Sequence, residues 1–141
     1  MILRDQAAIE AWRWPHFVPS EFVCHCGCGT LLIDSEHLDK LERLRCKCGF
    51  PLKVTSGYRC PKHNVLVAHT GDAGPHTTGK ATDFGVEREQ SYLLVAFALQ
   101  CDPLFRMPGV GIGQREGTAR LVHLDSLTAA DGFPRPMLCT Y

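Results

Sequence analysis

Two histidines and one carboxylate are spaced so that they could hold a single divalent metal ion. His76 and Asp83 lie seven residues apart in the segment Gly-Pro-His-Thr-Thr-Gly-Lys-Ala-Thr-Asp-Phe. If this segment ends in a strand, Asp83 faces a cleft while Phe84 faces the core. His123 follows forty residues after Asp83 in Leu-Val-His-Leu-Asp, where apolar and polar side chains alternate. A set of two histidines and one carboxylate leaves a fourth metal position open, as in catalytic zinc sites.

A cationic side chain follows a short predicted strand upstream of this segment. Residues 52–55 alternate between apolar and polar side chains, and Ser56-Gly57 ends the strand, so that Arg59 emerges at its end. A guanidinium group can bind a carboxylate through two parallel hydrogen bonds. The residues alone leave two alternatives for Arg59, a substrate-binding group or a solvated surface charge.

Eight cysteines are many for a chain of this length, and four of them could share a second metal ion. Cysteines occupy alternate positions in residues 24–28, and on an extended segment their thiols would face the same way. Three interpretations remain open: reduced thiols packed as small apolar groups, a disulfide such as Cys28 to Cys60, or a structural zinc. The candidate ligands of that zinc are Cys24, Cys26, Cys28 and Cys60.

The composition is that of one globular domain spanning residues 1–141. Apolar residues make up 45 % and charged residues 21 %, and the formal net charge is zero. This balance offers no electrostatic argument for nucleic acid or an anionic membrane as a partner, and we expect a monomer. The N-terminus lacks the features of a secretory signal, so we expect synthesis in the cytoplasm. A target outside the cell would then be reached after release or by a separate export route.

The elements that must position these side chains can be read from spacing and from helix and turn signals. A helix is predicted from Asp34 or Ser35 to Gly49, another after Pro61, and a third over residues 87–101. Strands are predicted near residues 81–86, 109–113 and 120–126. The glycine-rich strand 109–113 is expected to be approached closely by another backbone. Residues 1–16 are expected to form a lead-in, and residues 127–141 a loosely held tail.

The motifs, in their order along residues 17–127, resemble the zinc D-Ala-D-Ala carboxypeptidase family. That family also includes the L-alanyl-D-glutamate endopeptidases of bacteriophage lysins and the D-alanyl-D-alanine dipeptidases. The resemblance rests on Ser-Gly-Tyr-Arg-Cys at 56–60, His-x-x-Gly-x-Ala-x-Asp at 76–83, the glycine-rich strand, and Val-His-Leu-Asp at 122–125. It implies a small α+β fold in which an antiparallel sheet carries a zinc site and helices pack on one face.

The resemblance also implies roles for individual residues. His76, Asp83 and His123 would be zinc ligands. Arg59 would bind a substrate carboxylate or a developing oxyanion, assisted by Ser56. The implied activity is hydrolysis of peptidoglycan stem peptides, as a carboxypeptidase or as an endopeptidase.

Two positions depart from the family pattern. Many members carry an acidic general base three residues before the last histidine, where this chain has Arg120. Asp125 is the favoured replacement and Glu116 a second candidate, although Asp125 could instead orient a histidine ligand. The family's serine two residues before the first histidine is Gly74 here. Two other functions therefore stay open: a non-catalytic, zinc-containing wall-binding module, or a structural zinc protein built on Cys and His.

Overall fold

The computed structural model describes all 141 residues, and a five-stranded sheet lies at its centre. The strand order is β3-β4-β6-β5-β7, and every neighbouring pair is antiparallel except β5 and β7, which run parallel. Two further short strands, β1 and β2, pair antiparallel in a separate ribbon. The strands are β1 Ile2–Arg4, β2 Leu32–Asp34, β3 Lys53–Ser56, β4 Ala81–Glu87, β5 Gly109–Gln114, β6 Ala119–Asp125 and β7 Met137–Thr140.

Four α-helices and three short 3-10 turns complete the domain, and the α+β prediction is confirmed. None of the helices combines the length and apolar character needed to cross a bilayer. The helices are α1 Asp5–Glu10, α2 Ser35–Cys48, α3 Pro61–Val67 and α4 Arg88–Ala98, and the 3-10 turns are Pro19–Glu21, Pro75–Thr77 and Ala129–Asp131.

Helix α2 begins and ends where its sequence signals place it. The Asp34 carboxylate accepts hydrogen bonds from the backbone N–H groups of Glu36 and His37, at 2.8 and 3.2 Å, and so caps the helix. Gly49 ends it in the left-handed conformation with φ 74°. The leucines at helical spacing, Leu38, Leu41 and Leu44, are completely buried.

The sheet separates a core face from a site face. Phe84 and Val86 of β4 and Val122 and Leu124 of β6 belong to the hydrophobic core, as do buried side chains of α2 and α4. The alternate residues of the same strands, including Asp83 and His123, face the other way because side chains alternate along a strand. This division follows the one predicted from the alternation of residue types.

Strand β5 is glycine-rich because side chains, and not another backbone, approach it. A Cβ atom at Gly109 would lie 2.2 Å from Oδ1 of Asp125, and one at Gly111 would lie 2.5 Å from the ring of Tyr141. The prediction that another backbone approaches this strand closely was therefore wrong, because the close neighbours are side chains. Glycine leaves room for one carboxylate and one aromatic ring beside the strand.

The C-terminal segment is not a loosely held tail. Residues 137–140 form β7, which pairs with β5 from Gly109↔Met137 to Ile112↔Thr140. Leu127 is completely buried, and the Arg135 side chain contacts Asp125 inside the domain. At the other end, residues 1–16 form β1 and α1 and place Trp14 in the core. Both terminal segments are thus integral parts of the fold.

Candidate metal centre and its cleft

His76, Asp83 and His123 meet on the site face of the sheet. Asp83 of β4 and His123 of β6 are register partners, and His76 arrives from the 3-10 turn Pro75–Thr77. Oδ1 of Asp83 lies 2.8 Å from Nδ1 of His123 and 3.2 Å from Nε2 of His76. All three side chains are buried, and one donor atom from each lies within 4.8 Å of the others. The structure therefore brings together the three candidate ligands that the sequence indicated.

The second nitrogen of each histidine ring is held by a partner outside this triad. Nδ1 of His76 donates to the backbone carbonyl of Gly57 at 2.7 Å, which leaves Nε2 free to bind a metal. Nε2 of His123 donates to Oδ2 of Asp125 at 2.9 Å, which leaves Nδ1 on the metal side. Such outer partners fix the tautomer and the ring orientation of a ligating histidine. The set of two imidazole nitrogens and one carboxylate oxygen fits Zn²⁺.

Asp125 is completely buried and has both oxygens occupied. Oδ1 accepts from Nε of Arg135 at 2.9 Å, and Oδ2 accepts from Nη2 of Arg135 at 2.7 Å, in a forked ion pair. Burial raises the pKa of Asp125, but hydrogen bonds from His123 and Arg135 outweigh it and hold the pKa well below its usual range. Asp125 does not line the cleft above the triad, so its position suits the alternative role of orienting His123. Sequence reasoning missed Arg135, because no local pattern marks its partner.

Electrostatic coupling within the triad favours a charged pair until a metal binds. Burial lowers the pKa of His123, whereas hydrogen bonds to the carboxylates of Asp125 and Asp83 raise it, with a net result of about 9. For Asp83, burial raises the pKa, but hydrogen bonds from His123 and His76 hold it well below the usual range. Asp83 is thus ionised and ready to bind a cation, which must displace a proton from His123.

Arg59 lies at the edge of the triad and is fixed by three side chains. Its Nη2 donates to Oδ2 of Asp83 at 3.3 Å, its Nε to Oγ of Ser56 at 3.1 Å, and its Nη1 to Oδ1 of Asn64 at 3.4 Å. Its backbone N–H donates to the carbonyl of His76 at 3.0 Å. The Ser56 hydroxyl therefore bonds to the arginine, while the Ser56 backbone is the register partner of Asp83 between β3 and β4. Asn64 was not predicted, because one asparagine in helix α3 carries no signal of its own.

A cleft of about 360 Å³ opens above the triad, and Asp83 is the only carboxylate in its wall. Glu116 is exposed in the turn between β5 and β6 and does not line the cleft. The lining residues are Arg59, Asn64, Val67, Ala68, His69, Thr70, Pro75, His76, Asp83, Arg115, Leu121, His123 and Tyr141.

The register of β6 decides which face of the sheet position 120 takes. Arg120 pairs with Val86 and Gln114 in an uninterrupted ladder, three residues from His123. In a regular strand, residues three apart face opposite sides of the sheet. A carboxylate at this position would therefore face away from the cleft. The Arg120 guanidinium instead donates to the backbone carbonyls of Gly117 and Ala119.

Gly74 is also explained by its surroundings. A Cβ atom there would lie 2.1 Å from Oγ1 of Thr70 and 2.8 Å from Nδ2 of Asn64. The Thr70 hydroxyl accepts a hydrogen bond from that same Nδ2 at 2.8 Å. The space beside position 74, where the family resemblance implies a serine, is thus filled by side chains that belong to the cleft wall.

The four candidate cysteines also lie close together, next to the segment that carries Arg59. Their sulfur atoms all lie within 4.8 Å of one another, and none forms a disulfide. Residues 25–28 are a turn and not the extended segment that the spacing suggested. We call Cys24, Cys26, Cys28 and Cys60 the cysteine group.

Comparison with known proteins agrees with this geometry. A family profile described as Peptidase M15 matches residues 15–125, which include the three triad residues, Arg59 and the cysteine group. No curated protein and no solved structure matches the chain. Members of the matched family are zinc-dependent metallopeptidases. Since the match covers most of the chain, the chain belongs to the Peptidase M15 family.

Proposed function

We propose that this chain is a zinc peptidase that hydrolyses the stem peptides of peptidoglycan. The observation that carries the proposal is the buried triad of His76, Asp83 and His123 at the floor of a cleft, with Arg59 fixed beside it. A Zn²⁺ ion held by these ligands would supply Lewis-acid chemistry, polarising a peptide carbonyl and making water more acidic.

We assign to Arg59 the role of binding a negatively charged group of the substrate. Ser56, Asn64 and Asp83 hold its guanidinium in place before any substrate arrives, so little ordering remains to be done on binding. Arg115 lies in the same cleft wall. Two cationic side chains suit a peptide that carries free carboxylates, and stem peptides carry such groups. Arg59 would hold either a substrate carboxylate or the negative charge that develops on the carbonyl oxygen.

The proton acceptor we propose is His69. Asp125 is buried behind His123 and paired with Arg135, which leaves it the role of orienting His123. His69 is exposed in the cleft wall. Outside the triad it is the wall residue whose side-chain type most often acts as a general base. Burial and the neighbouring Cys139 raise the pKa of Tyr141, so its phenol stays protonated and can donate a hydrogen bond in the cleft.

One observation supports a second candidate function. The cleft wall has no carboxylate other than the metal ligand Asp83, and general bases of metallopeptidases are commonly carboxylates. A wall-binding module that holds zinc without cleaving peptides would share the triad and Arg59. The two functions differ in whether a peptide product forms.

The test is product analysis by mass spectrometry after the zinc-loaded protein is incubated with purified peptidoglycan and with a synthetic stem pentapeptide. Release of the terminal D-Ala identifies a carboxypeptidase, and cleavage between L-Ala and D-Glu identifies an endopeptidase. We expect His76→Ala to abolish cleavage and Arg59→Lys to lower kcat/KM by roughly 10²–10³-fold, because the guanidinium fork is lost.

The matched control is Arg120→Lys, which changes the same residue type on the opposite sheet face and should leave kcat/KM within about twofold. His69→Ala should lower kcat by roughly 10²–10⁴-fold without changing zinc content. Binding of peptidoglycan by a zinc-loaded wild type that forms no product would contradict the peptidase and support the binding module.

A further inference from the structure

We propose that Cys24, Cys26, Cys28 and Cys60 form a second metal site, a closed four-thiolate Zn²⁺ site that ties the N-terminal loop to the segment carrying Arg59. This site is separate from the triad in residues and in donor type. Its existence does not depend on the peptidase activity proposed above.

The spacing of the sulfur atoms is that of a tetrahedral zinc site. Four sulfurs placed about 2.3 Å from Zn²⁺ at the corners of a tetrahedron lie about 3.8 Å apart. The Sγ atoms of Cys24 and Cys26 are 3.5 Å apart, and those of Cys26 and Cys60 are 3.6 Å apart. All four sulfurs lie within 4.8 Å of one another. A disulfide requires about 2.05 Å and would join only two of them.

The backbone of the N-terminal loop is shaped to bring three thiols together. Residues 25–28 form a turn, and Gly27 and Gly29 have φ values of +87° and +72°. A Cβ atom on either glycine would meet nothing within 4 Å, so glycine is required there by conformation and not by crowding. Two left-handed residues that alternate with cysteines place Cys24, Cys26 and Cys28 around one point.

Polar groups around the sulfur of Cys24 suit a negative charge on that atom. The backbone N–H of Cys60 donates to Sγ of Cys24 at 3.3 Å. Nδ1 of His63 lies 3.4 Å from the same sulfur, and Lys62 lines the shallow surface pocket over the group. Donors of this kind surround metal-bound thiolates, whereas thiols packed as apolar groups need none. Cys26 and Cys28 are exposed, so the group lies at the surface and not in the core.

The proposed site joins two segments that already touch beside the triad. The Tyr58 N–H donates to the Phe22 carbonyl at 3.0 Å, and a Cβ atom at Gly57 would lie 2.5 Å from Cα of Phe22. Cys60 directly follows Arg59 and is the N-cap residue of α3. Metal binding would hold this segment from one end, while the hydrogen bond between Arg59 and His76 holds it from the other.

Metal content per chain tests the proposal and keeps the two sites distinct. The protein is purified under reducing conditions and dialysed against trace zinc. Its zinc content per chain is then measured by elemental mass spectrometry. We expect two zinc ions in wild type, one in the double variant Cys26→Ser/Cys28→Ser, and one in His76→Ala. The control Cys101→Ser changes an exposed cysteine that belongs to none of the clusters able to hold a metal ion, and it should keep two.

Cobalt substitution provides a readout that needs neither activity nor a foldable cysteine variant. His76→Ala loaded with Co²⁺ should show thiolate-to-metal charge-transfer absorption, and X-ray absorption of its zinc form should show four sulfurs at about 2.3 Å. Loss of the metal from Cys26→Ser/Cys28→Ser should speed amide hydrogen exchange at residues 24–28 and 57–60 at least tenfold, with β4 and β6 unchanged.

The proposal is overturned if wild type holds one zinc and His76→Ala holds none. It is equally overturned if His76→Ala binds zinc only through nitrogen and oxygen. Failure of the peptidase proposal alone would leave the cobalt spectrum of His76→Ala unaffected.

Discussion

His123 is bonded at both ring nitrogens, and this pairing sets the chemistry of the metal centre. Asp83 faces Nδ1 at 2.8 Å and Asp125 faces Nε2 at 2.9 Å. Asp125 keeps its charge because Arg135 pairs with both of its oxygens. A buried carboxylate held in this way can accept a hydrogen bond from the Nε2–H group of His123 and so direct Nδ1 at a metal. The chain Arg135–Asp125–His123 thus supports one ligand from behind.

Replacing Asp125 by asparagine should weaken zinc binding. The amide carries an NH₂ group that must face either His123 or Arg135, both of which are donors, so one pair becomes repulsive. We expect the zinc dissociation constant to rise about 10–100-fold, measured by competition with a chelator. The control Asp131→Asn breaks the ion pair with Lys80 and should leave zinc affinity unchanged.

The same variant separates the two roles considered for Asp125. An orienting residue changes zinc affinity. Unchanged zinc affinity together with a loss of turnover would show instead that Asp125 accepts the proton during the reaction.

At the scale of elements, strand β5 makes room for the site by lacking side chains. Gly109 is the register partner of Asp125, and its missing Cβ leaves the space that the carboxylate occupies. Gly111 does the same for Tyr141, which lines the cleft. The strand therefore shapes the candidate metal centre although none of its side chains is a candidate ligand.

The substitution Gly109→Ala should disturb that arrangement. The added Cβ would lie 2.2 Å from Oδ1 of Asp125, and the carboxylate is fixed by Arg135 and cannot simply swing away. We expect the free energy of unfolding, from urea titration, to fall by roughly 1–3 kcal/mol, with weaker zinc binding. Gly85→Ala is the control in strand β4, which β6 separates from β5, and its Cβ would meet only a methyl group of Thr55, at 3.0 Å. Equal effects from both substitutions would mean that Asp125 is not held by its packing against Gly109.

The features that could be predicted from the sequence are those that depend on interactions between residues close together in the chain. Strand alternation placed Asp83 and His123 on one face, and the cap at Asp34 placed helix α2, because both signals are local. The contribution of Arg135 and Tyr141 could not be read, since it depends on the parallel pairing of β7 with β5. The turn at residues 25–28 was not predicted, for another reason. The left-handed conformation of Gly27 is a backbone state, and the alternation rule assumes an extended chain.

At the scale of the whole molecule, a buried histidine joins helix α2 to the sheet. Nε2 of His37 lies 3.0 Å from the hydroxyl of Thr82 in β4, and Nδ1 lies 3.1 Å from the hydroxyl of Ser126 just after β6. The ring is completely buried, and burial lowers its pKa from 6.5 to about 3. The histidine is therefore neutral in the folded protein at neutral pH and bridges the core layer to the two strands that carry the metal ligands.

This bridge predicts how stability depends on acid. Between pH 6.5 and 3 the unfolded chain takes up a proton at His37 and the folded chain does not, so its contribution to stability is full above pH 6.5 and is lost as pH falls towards 3. In urea titrations from pH 7 to 4, His37→Gln should be less stable than wild type at pH 7. It should also lose stability more slowly on acidification, by up to about 1.4 kcal/mol per pH unit.

The exposed histidine His25 provides the control for this prediction. His25→Gln should follow the wild-type pH dependence, because the His25 side chain lies at the surface and does not join helix α2 to the sheet. Protonation of the metal ligands contributes to all three proteins and cancels in the comparison. A His37→Gln curve parallel to wild type would mean that the folded protein can protonate His37 in place, which requires the layer between α2 and the sheet to open to water before the domain unfolds.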